Sequence, residues 1–216
     1  MNDDAALARA RAAVEDVHKR VGRADTGALD LIFRDARNHN KWQDRDVPEA
    51  LIREAVAIAQ FGPTSANGQP MRVTLVRSKE GKEKLRPVMA PANLEKTLAA
   101  PWTAIVAYDV DYWKALPRLY PIRDMAPMFK DNPAFAEEHA SRNGTLQGAY
   151  LIIALRAVGL DVGAMSGFNR KVCDETFFAG TSMRSNFIAN IGYGHTDGIL
   201  GPRLPRYDFK EVVTIV

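Results

Sequence analysis

The feature that most constrains the fold is a long helical run, which begins near Asn132 and stops at Gly159. Its second half, which includes AYLIIALRAVGL, is apolar on almost every side of the helix. Such a helix is stable in water only when other elements cover it all round. We therefore expect a central buried helix with the rest of the chain packed about it.

Short strands and helices surround this run without strict alternation. Strands are predicted through Val73–Val76 and in the segments PWTAIVAYDV, DVGAMSGF and SNFIANIGYG. This mixture favours an α+β fold, with a mostly antiparallel central sheet flanked by helices, over a doubly wound α/β fold. The Ala- and Arg-rich start predicts a helical extension at residues 1–26, ahead of a single domain at residues 27–216.

Composition excludes several classes of protein. With 46% hydrophobic and 25% charged residues among 216, the chain can bury a substantial core. A formal net charge of +3 is too small to indicate nucleic acid or a membrane surface as a partner. Cys173 is the only cysteine, no signal-peptide pattern opens the sequence, and no apolar run approaches the roughly 20 residues that cross a bilayer. We expect a cytoplasmic protein that binds neither nucleic acid nor membranes.

The loop FGPTSANGQP, from Phe61 to Pro70, separates a predicted helix from a predicted strand. A simple connection needs about two to six residues, whereas this one displays two hydroxyls and two side-chain amides between prolines. Such a loop can offer several hydrogen bonds to one polar ligand, because binding residues concentrate on loops held by rigid elements. A surface turn whose polar groups are satisfied locally is the alternative.

Sequence patterns for the common catalytic centres are absent. The four histidines are scattered without metal-ligand spacing, and there is no G-x-S-x-G, P-loop or G-x-G-x-x-G. What recurs is a set of amide, hydroxyl and cationic side chains at element junctions, each of which taken alone is an ordinary cap or surface residue. Together they suit a ligand with a phosphate, a polyhydroxyl chain and a flat heterocycle, as in flavin mononucleotide (FMN). The set comprises Arg37, Asn38, Asn40, Ser65, Asn67, Gln69, Asn93, Lys96, Asn143, Gln147, Ser166, Arg203 and Arg206.

Three motifs in order, ARNHNKW, GPTSANGQP and GLDVGAMSGF, resemble those of the FMN-dependent nitroreductase family. The resemblance extends from about Leu31 to Val213. The segments FRDARNHNKWQDR, RNGTLQGAYLI, FFAGTSMRSNF and PRLPR are most similar to the subgroup that contains the malonic semialdehyde reductase of pyrimidine degradation.

The resemblance implies a role for each matched residue. Arg37, Asn38 and Asn40 would contact the phosphate and ribityl chain, although many members have a basic residue where Asn40 stands. Arg203 or Arg206 would then supply the missing charge. Asn93 and Lys96 would meet the pyrimidine end of the ring, with Lys96 near N1 and O2. The remaining contacts would come from the loop (Ser65, Asn67 and Gln69), from Asn143, and from the strand end at Ala164, Met165, Ser166 and Gly167, where Ser166 replaces the acidic residue of some members.

The resemblance also implies a mechanism and an assembly. NADH or NADPH would reduce flavin N5 and leave before a small-molecule electron acceptor takes its place, so no side chain need act as a nucleophile. The active site would lie at the interface of an intertwined homodimer, with Ser65 and Asn67 reaching the flavin across it. The C-terminal segment EVVTIV would be an arm that adds to the partner's sheet, or alternatively an edge strand of its own subunit.

Four functions compete at this point. The first is an FMN-dependent NAD(P)H oxidoreductase that reduces a small carbonyl compound such as malonic semialdehyde. The second keeps the flavin but takes nitroaromatics or quinones as acceptors. The third is a non-enzymatic flavin-binding protein, and the fourth is an α+β domain without flavin.

Overall fold

The central sheet has four strands, and every neighbouring pair is antiparallel. In the computed structural model, which describes residues 3–216, the strands are β1 (Met71–Val76), β2 (Trp102–Asp109), β3 (Asp161–Met165) and β4 (Met183–Gly192). Their order across the sheet is β1-β2-β4-β3, so β1 and β3 are the edge strands. The predicted α+β fold with a mostly antiparallel sheet is confirmed.

The chain divides into two compact units, with the boundary between Ala36 and Arg37. The first unit contains α1 (Asp3–Arg20), α2 (Thr26–Leu29) and a wider helical turn at Asp30–Arg34. Asp25 begins α2 because its carboxylate accepts a hydrogen bond from the Ala28 N–H at 2.7 Å. That residues 27–216 fold without the extension stays a prediction.

The second unit carries the sheet and the remaining helices. These are α3 (Glu49–Ala59), α4 (Lys79–Leu85), α5 (Pro91–Leu98), α6 (Leu116–Leu119), α7 (Ala126–Lys130), α8 (Pro133–Ala157), α9 (Arg170–Phe177) and α10 (Phe209–Val212). Single 3₁₀ turns occur at Ser65–Asn67, Tyr112–Ala115 and Thr196–Gly198. No helix within residues 3–216 combines the length and the apolar character needed to cross a membrane.

Strand β2 is apolar along nearly its whole length because both of its faces are covered. Ala104 and Val106 point into one core, which α3 and α8 complete. Ile105 and Ala107 point into a second core, which includes residues of α4 and α9. The sheet is therefore a middle layer between helices, as its continuous apolar pattern predicts.

Helix α8 is buried on one face rather than all round. Leu151 and Leu155 pack in the core with α3 and the sheet. Leu146 and Tyr150 remain 49% and 40% exposed, because in a single chain α3 and the sheet cover only one side of the helix. The expectation of all-round burial is thus wrong for the single chain, which leaves an apolar helical face open.

The C-terminal segment differs from the edge-strand alternative. Residues 209–212 form the short helix α10, and residues 213–216 have no regular structure and no place in the sheet. Apolar side chains along this segment are exposed, with Val212 at 68% and Ile215 at 83%. A stretch of this composition is normally covered in the functional protein.

Candidate functional site

Most of the predicted site residues fall into two clusters at opposite edges of the sheet. The first, which we call the β3–α5 cluster, contains Asn38, Asn40, Asn93, Lys96, Ala164 and Gly167. The second, which we call the loop cluster, contains Ser65, Asn67, Gln69 and Asn143.

In the β3–α5 cluster, Asn38 is tied to the edge strand β3. Its Oδ1 accepts a hydrogen bond from the Ala164 N–H at 2.6 Å, and the neighbouring His39 N–H donates to the Val162 carbonyl at 3.1 Å. Asn38 therefore extends the sheet. The alternative, that it is an ordinary residue at the end of a helix, is wrong. The bond fixes the segment that carries Arg37 and Asn40 against β3.

Asn93 joins helix α5 to the loop that follows β3. Its Nδ2 donates to the Gly167 carbonyl at 2.9 Å, and the Ala90 N–H donates to the same carbonyl at 3.1 Å. The helix begins at Pro91, so Asn93 is its third residue and not its N-cap. A Cβ atom at position 167 would overlap the Asn93 amide nitrogen, so only glycine permits this contact.

Lys96 places a positive charge one turn farther along α5. Its Nζ donates to Asn40 Oδ1 at 2.9 Å, and the Asn40 amide donates to the Gly198 carbonyl at 3.2 Å. Burial lowers the pKa of the Lys96 ammonium, since desolvation disfavours the charged form. A cleft of about 710 Å³ opens beside these residues and is also lined by Trp42, Asn93 and Leu200.

The other residues predicted near β3 are placed less uniformly. The Met165 sulfur accepts a weak hydrogen bond from Thr97 at 3.7 Å, whereas Ser166 is exposed. Arg37 donates to the Gly201 carbonyl at 2.8 Å, which ties the start of the second unit to the C-terminal segment. The Arg206 guanidinium instead donates to the adjacent carbonyls of Leu204 and Pro205, so within the described chain it joins neither cluster.

Arg203 belongs to a charged group behind β3. The pKa of Arg156 lies below its ordinary value, mainly because the guanidinium is buried. The positive charge of the nearby Arg203 lowers it further, and the carboxylate of Asp161 opposes both effects. Asp161 in turn faces His39 at 3.3 Å and accepts a hydrogen bond from the Gly194 N–H at 2.8 Å. Arg203 therefore lies near the strand that carries Ala164, whereas Arg206 is held by its own backbone.

The loop cluster stores backbone strain. Ala66, Asn67 and Gln69 have φ angles of 51°, 47° and 43°, in the left-handed region that residues other than glycine seldom adopt. Strained backbone of this kind persists only where surrounding contacts impose it, and it concentrates at functional sites. Two contacts impose it here: Asn143 Oδ1 accepts from the Ser65 N–H at 2.8 Å, and Asn67 Nδ2 donates to the Leu119 carbonyl at 2.8 Å.

A buried polar network that the sequence did not reveal supports α5. Lys82 Nζ donates to the Thr97 carbonyl at 2.8 Å and to Thr103 Oγ1 at 2.6 Å. Asn190 accepts from Thr103 at 2.8 Å and donates to the Lys96 carbonyl at 3.2 Å. Nothing in the sequence KEGKEKL distinguishes Lys82 from its exposed neighbours, because its burial depends on tertiary packing alone.

A single chain does not bring the two clusters together. The loop cluster precedes β1, and the β3–α5 cluster lies on β3, at the other edge of the sheet. Three strand spacings of about 4.8 Å place the edge strands roughly 14 Å apart. Within residues 37–216 no hydrogen bond joins one cluster to the other, so a single chain holds the two clusters apart.

Comparison with known proteins assigns the family. The model of the nitroreductase family matches residues 36–193. Among solved structures, a protein from Bacillus subtilis assigned as a nitroreductase has a TM-score of 0.78 at 16% identity, with 89% of this chain and 100% of that chain covered. A second, from Exiguobacterium sibiricum, was solved in complex with FMN and has a TM-score of 0.76 at 18% identity, with coverage of 90% and 99%.

A third structure, from Staphylococcus epidermidis, is assigned as an NAD(P)H:FMN oxidoreductase. It has a TM-score of 0.76 at 16% identity, with 90% of this chain and 98% of that chain covered. At these identities the structures establish a common fold, and the family match covers most of the sequence. The chain belongs to the nitroreductase family.

Proposed function

We propose that the protein is an FMN-dependent NAD(P)H oxidoreductase whose flavin is held jointly by the β3–α5 cluster of one subunit and the loop cluster of its partner. The observation that carries this proposal is the convergence of Asn40, Asn93 and Lys96 on one cleft, where the Asn93 amide also holds the carbonyl of Gly167. Sequence motifs alone predict these positions. They lie on three separate segments, and ordinary surface residues would have no reason to converge.

The chemistry of the cleft fits the cofactor. The pyrimidine edge of a flavin offers carbonyl and ring-nitrogen atoms, which the Asn93 amide and the Lys96 ammonium can meet. Gly167 lets the Asn93 amide lie directly against the loop after β3, where a Cβ atom would overlap it. Arg37 and Arg203 do not line the cleft, but they are the guanidinium groups that we propose for the phosphate, because guanidinium pairs with phosphate through two hydrogen bonds.

The residues orient and bias the reaction rather than take part in bond making. When bound, FMN supplies the hydride transfer between NADH or NADPH and the acceptor. The Lys96 ammonium would stabilise negative charge at the pyrimidine edge of a bound flavin, and its hydrogen bond to Asn40 holds it in position. The buried network below α5 keeps the helix rigid beneath both contacts.

We infer that the physiological acceptor is a small carbonyl compound such as malonic semialdehyde. Support comes from the subgroup motifs, among them RNGTLQGAYLI, which contributes Asn143 and its hydrogen bond to the strained loop. Nitroaromatic compounds or quinones are the competing acceptors, in keeping with the name of the family.

We also propose a homodimer in which the C-terminal arms are exchanged. The face of α8 that carries Leu146 and Tyr150 is open, and Phe61 at the start of the loop is 88% exposed. Beside the unpaired edge of β1 lies a groove of about 620 Å³. Its lining includes the apolar residues Val56, Val73 and Leu75, together with the polar residues Glu49, Arg53, Gln60 and Arg72. Residues 213–216 of the partner can add a strand at this edge.

The test is an absorption spectrum of the purified protein, followed by anaerobic addition of NADH and NADPH in turn. A bound flavin that either nucleotide bleaches, and that a carboxylate aldehyde then reoxidises faster than a quinone, is the expected result. A flavin that neither nucleotide reduces would indicate a binding protein without activity. A colourless protein that gains no flavin band with added FMN would refute the proposal.

A further inference from the structure

A small cationic recess lies beside the loop cluster. It has a volume of about 320 Å³, and two guanidinium groups and three side-chain amides contribute to its lining. No aspartate or glutamate of the described chain lines it. The lining residues are Gln60, Gln69, Met71, Arg72, Ala115, Arg118, Leu119 and Gln147.

The two arginines of the recess differ in how far their charge is compensated. Arg72 pairs with Asp109 at 3.0 Å and donates to the carbonyls of Gln69 and Met71. Arg118, on α6, is exposed, and its guanidinium has neither a hydrogen bond nor an ion pair within residues 3–216. The recess therefore has an uncompensated positive charge at Arg118, beside a guanidinium that internal contacts hold in place.

The recess is connected to the candidate active site through the strained loop. Gln69 lines the recess and donates through Nε2 to Asn67 Oδ1 at 2.9 Å. Asn67 in turn holds the carbonyl of Leu119, the residue after Arg118. Gln147, which is only 2% exposed, accepts a hydrogen bond from the Met71 N–H at 2.9 Å. This bond fixes two lining residues of the recess relative to each other.

We propose that this recess is an anion subsite that binds a carboxylate of the electron acceptor, with Arg118 as the residue that determines specificity. The inference rests on the proposed function, since it assigns a substrate class to that site. Guanidinium pairs with carboxylates through two parallel hydrogen bonds, and the neighbouring amides can donate to the same group. A volume of about 320 Å³ suits a short carboxylic acid better than a nucleotide. The 2′-phosphate of NADPH has the same charge chemistry and is the alternative source of the anion.

The test compares Arg118→Gln and Arg118→Lys with Arg123→Gln. Arg123 is an exposed arginine of the same segment that does not line the recess, so it controls for net charge. For each protein, kcat/KM is measured with 3-oxopropanoate and with propanal, which lacks the carboxylate. We expect the ratio of the two to fall roughly ten- to a hundredfold in Arg118→Gln, the range of a lost charge-assisted hydrogen bond, and to recover partly in Arg118→Lys. Arg123→Gln should keep the wild-type ratio.

A binding measurement makes the result independent of turnover. Titration calorimetry with malonate, which cannot be reduced, should show binding to the purified protein and to Arg123→Gln that is lost in Arg118→Gln. The proposal would be overturned if Arg118→Gln lowered kcat/KM equally for 3-oxopropanoate and propanal, or if it still bound malonate. A change confined to the ratio of kcat/KM for NADPH to that for NADH would also overturn it, and would assign the recess to the 2′-phosphate of NADPH. Failure of the proposed function is distinct, because neither nucleotide would then reduce a flavin in the wild type.

Discussion

Lys82 brings a positive charge into the interior without a carboxylate partner among the described residues. The side chain is 6% exposed, and its ammonium is satisfied by the Thr97 carbonyl and the Thr103 hydroxyl. Desolvation lowers the pKa of Lys82 to about 8. The network nevertheless reaches the backbone of Lys96 through Asn190, so this buried charge supports the helix that carries the proposed flavin contacts Asn93 and Lys96.

Lys82 makes the free energy of unfolding depend on pH in the alkaline range. Its pKa is about 8 in the folded chain and about 10.4 when unfolded, so between these values the unfolded chain binds more protons. Below pH 8, burial of the charged ammonium lowers the free energy of unfolding. This cost disappears as the pH increases towards about 10, so the free energy of unfolding rises over that range. The full shift corresponds to at most about 3 kcal/mol.

Urea unfolding between pH 7.5 and 10, in wild type and in Lys82→Met, checks this expectation. The free energy of unfolding of wild type should rise with pH relative to that of the variant. Lys84→Met, which removes an exposed lysine from the same helix, should follow the wild-type dependence. Parallel curves for wild type and Lys82→Met would show that Lys82 keeps its ordinary pKa in the folded protein.

At the scale of elements, the junction between β3 and α5 depends on one glycine. Gly167→Ala should displace the Asn93 amide, because the new methyl group occupies its place. We expect a loss of about 1 kcal/mol in the free energy of unfolding from the broken hydrogen bond. FMN should also dissociate more readily, since Asn93 is a predicted flavin contact.

Chemical denaturation and a flavin-binding titration measure these two effects. Gly22→Ala is the matched control, because a methyl group there meets no atom within 4 Å. If Gly167→Ala binds FMN as tightly as wild type, Asn93 does not hold the flavin.

The sequence predicts elements better than it predicts the contacts between them. The strands and the long helix are predictable because burial imposes an apolar pattern on the sequence. Strand β2 is buried on two faces and helix α8 on one. Asn93 shows the limit. As a residue before LEK it has the signature of an N-cap, yet Pro91 fits the first turn and moves the start of the helix back by three positions. Its amide is then available to Gly167, a contact with a residue 74 positions away in the sequence.

Whole-molecule features were the least accessible to sequence reasoning. A hydrophobic pattern marks a face for burial but does not state whether the covering surface comes from the same chain. For α8, the pattern predicted burial all round, and the single chain supplies cover on one side only. The two clusters of predicted site residues lie at opposite edges of one sheet, so a ligand that contacts both, as we propose for FMN, must contact two chains.

The C-terminal segment offers a direct test of this assembly. Deleting residues 209–216 removes Phe209, Val212 and Ile215, which are 65%, 68% and 83% exposed in the single chain. If these side chains are buried against a partner, each contributes about 1.5–3 kcal/mol, and the edge of β1 loses its added strand as well. We expect the deletion to convert a dimer into a monomer at micromolar concentration and to release FMN, since each flavin would lose the loop cluster of its partner.

Sedimentation velocity and the flavin absorbance of the same sample measure both effects together. Deleting residues 3–20 is the control, because α1 belongs to the other unit of the chain and should leave both the dimer and the flavin in place. A point variant, Ile215→Asp, should weaken the dimer without shortening the chain, because a carboxylate is costly to bury at the β1 groove. A C-terminally deleted protein that sediments as a dimer with a full complement of flavin would refute arm exchange. Loss of the dimer with retention of flavin would show instead that one subunit holds the cofactor alone.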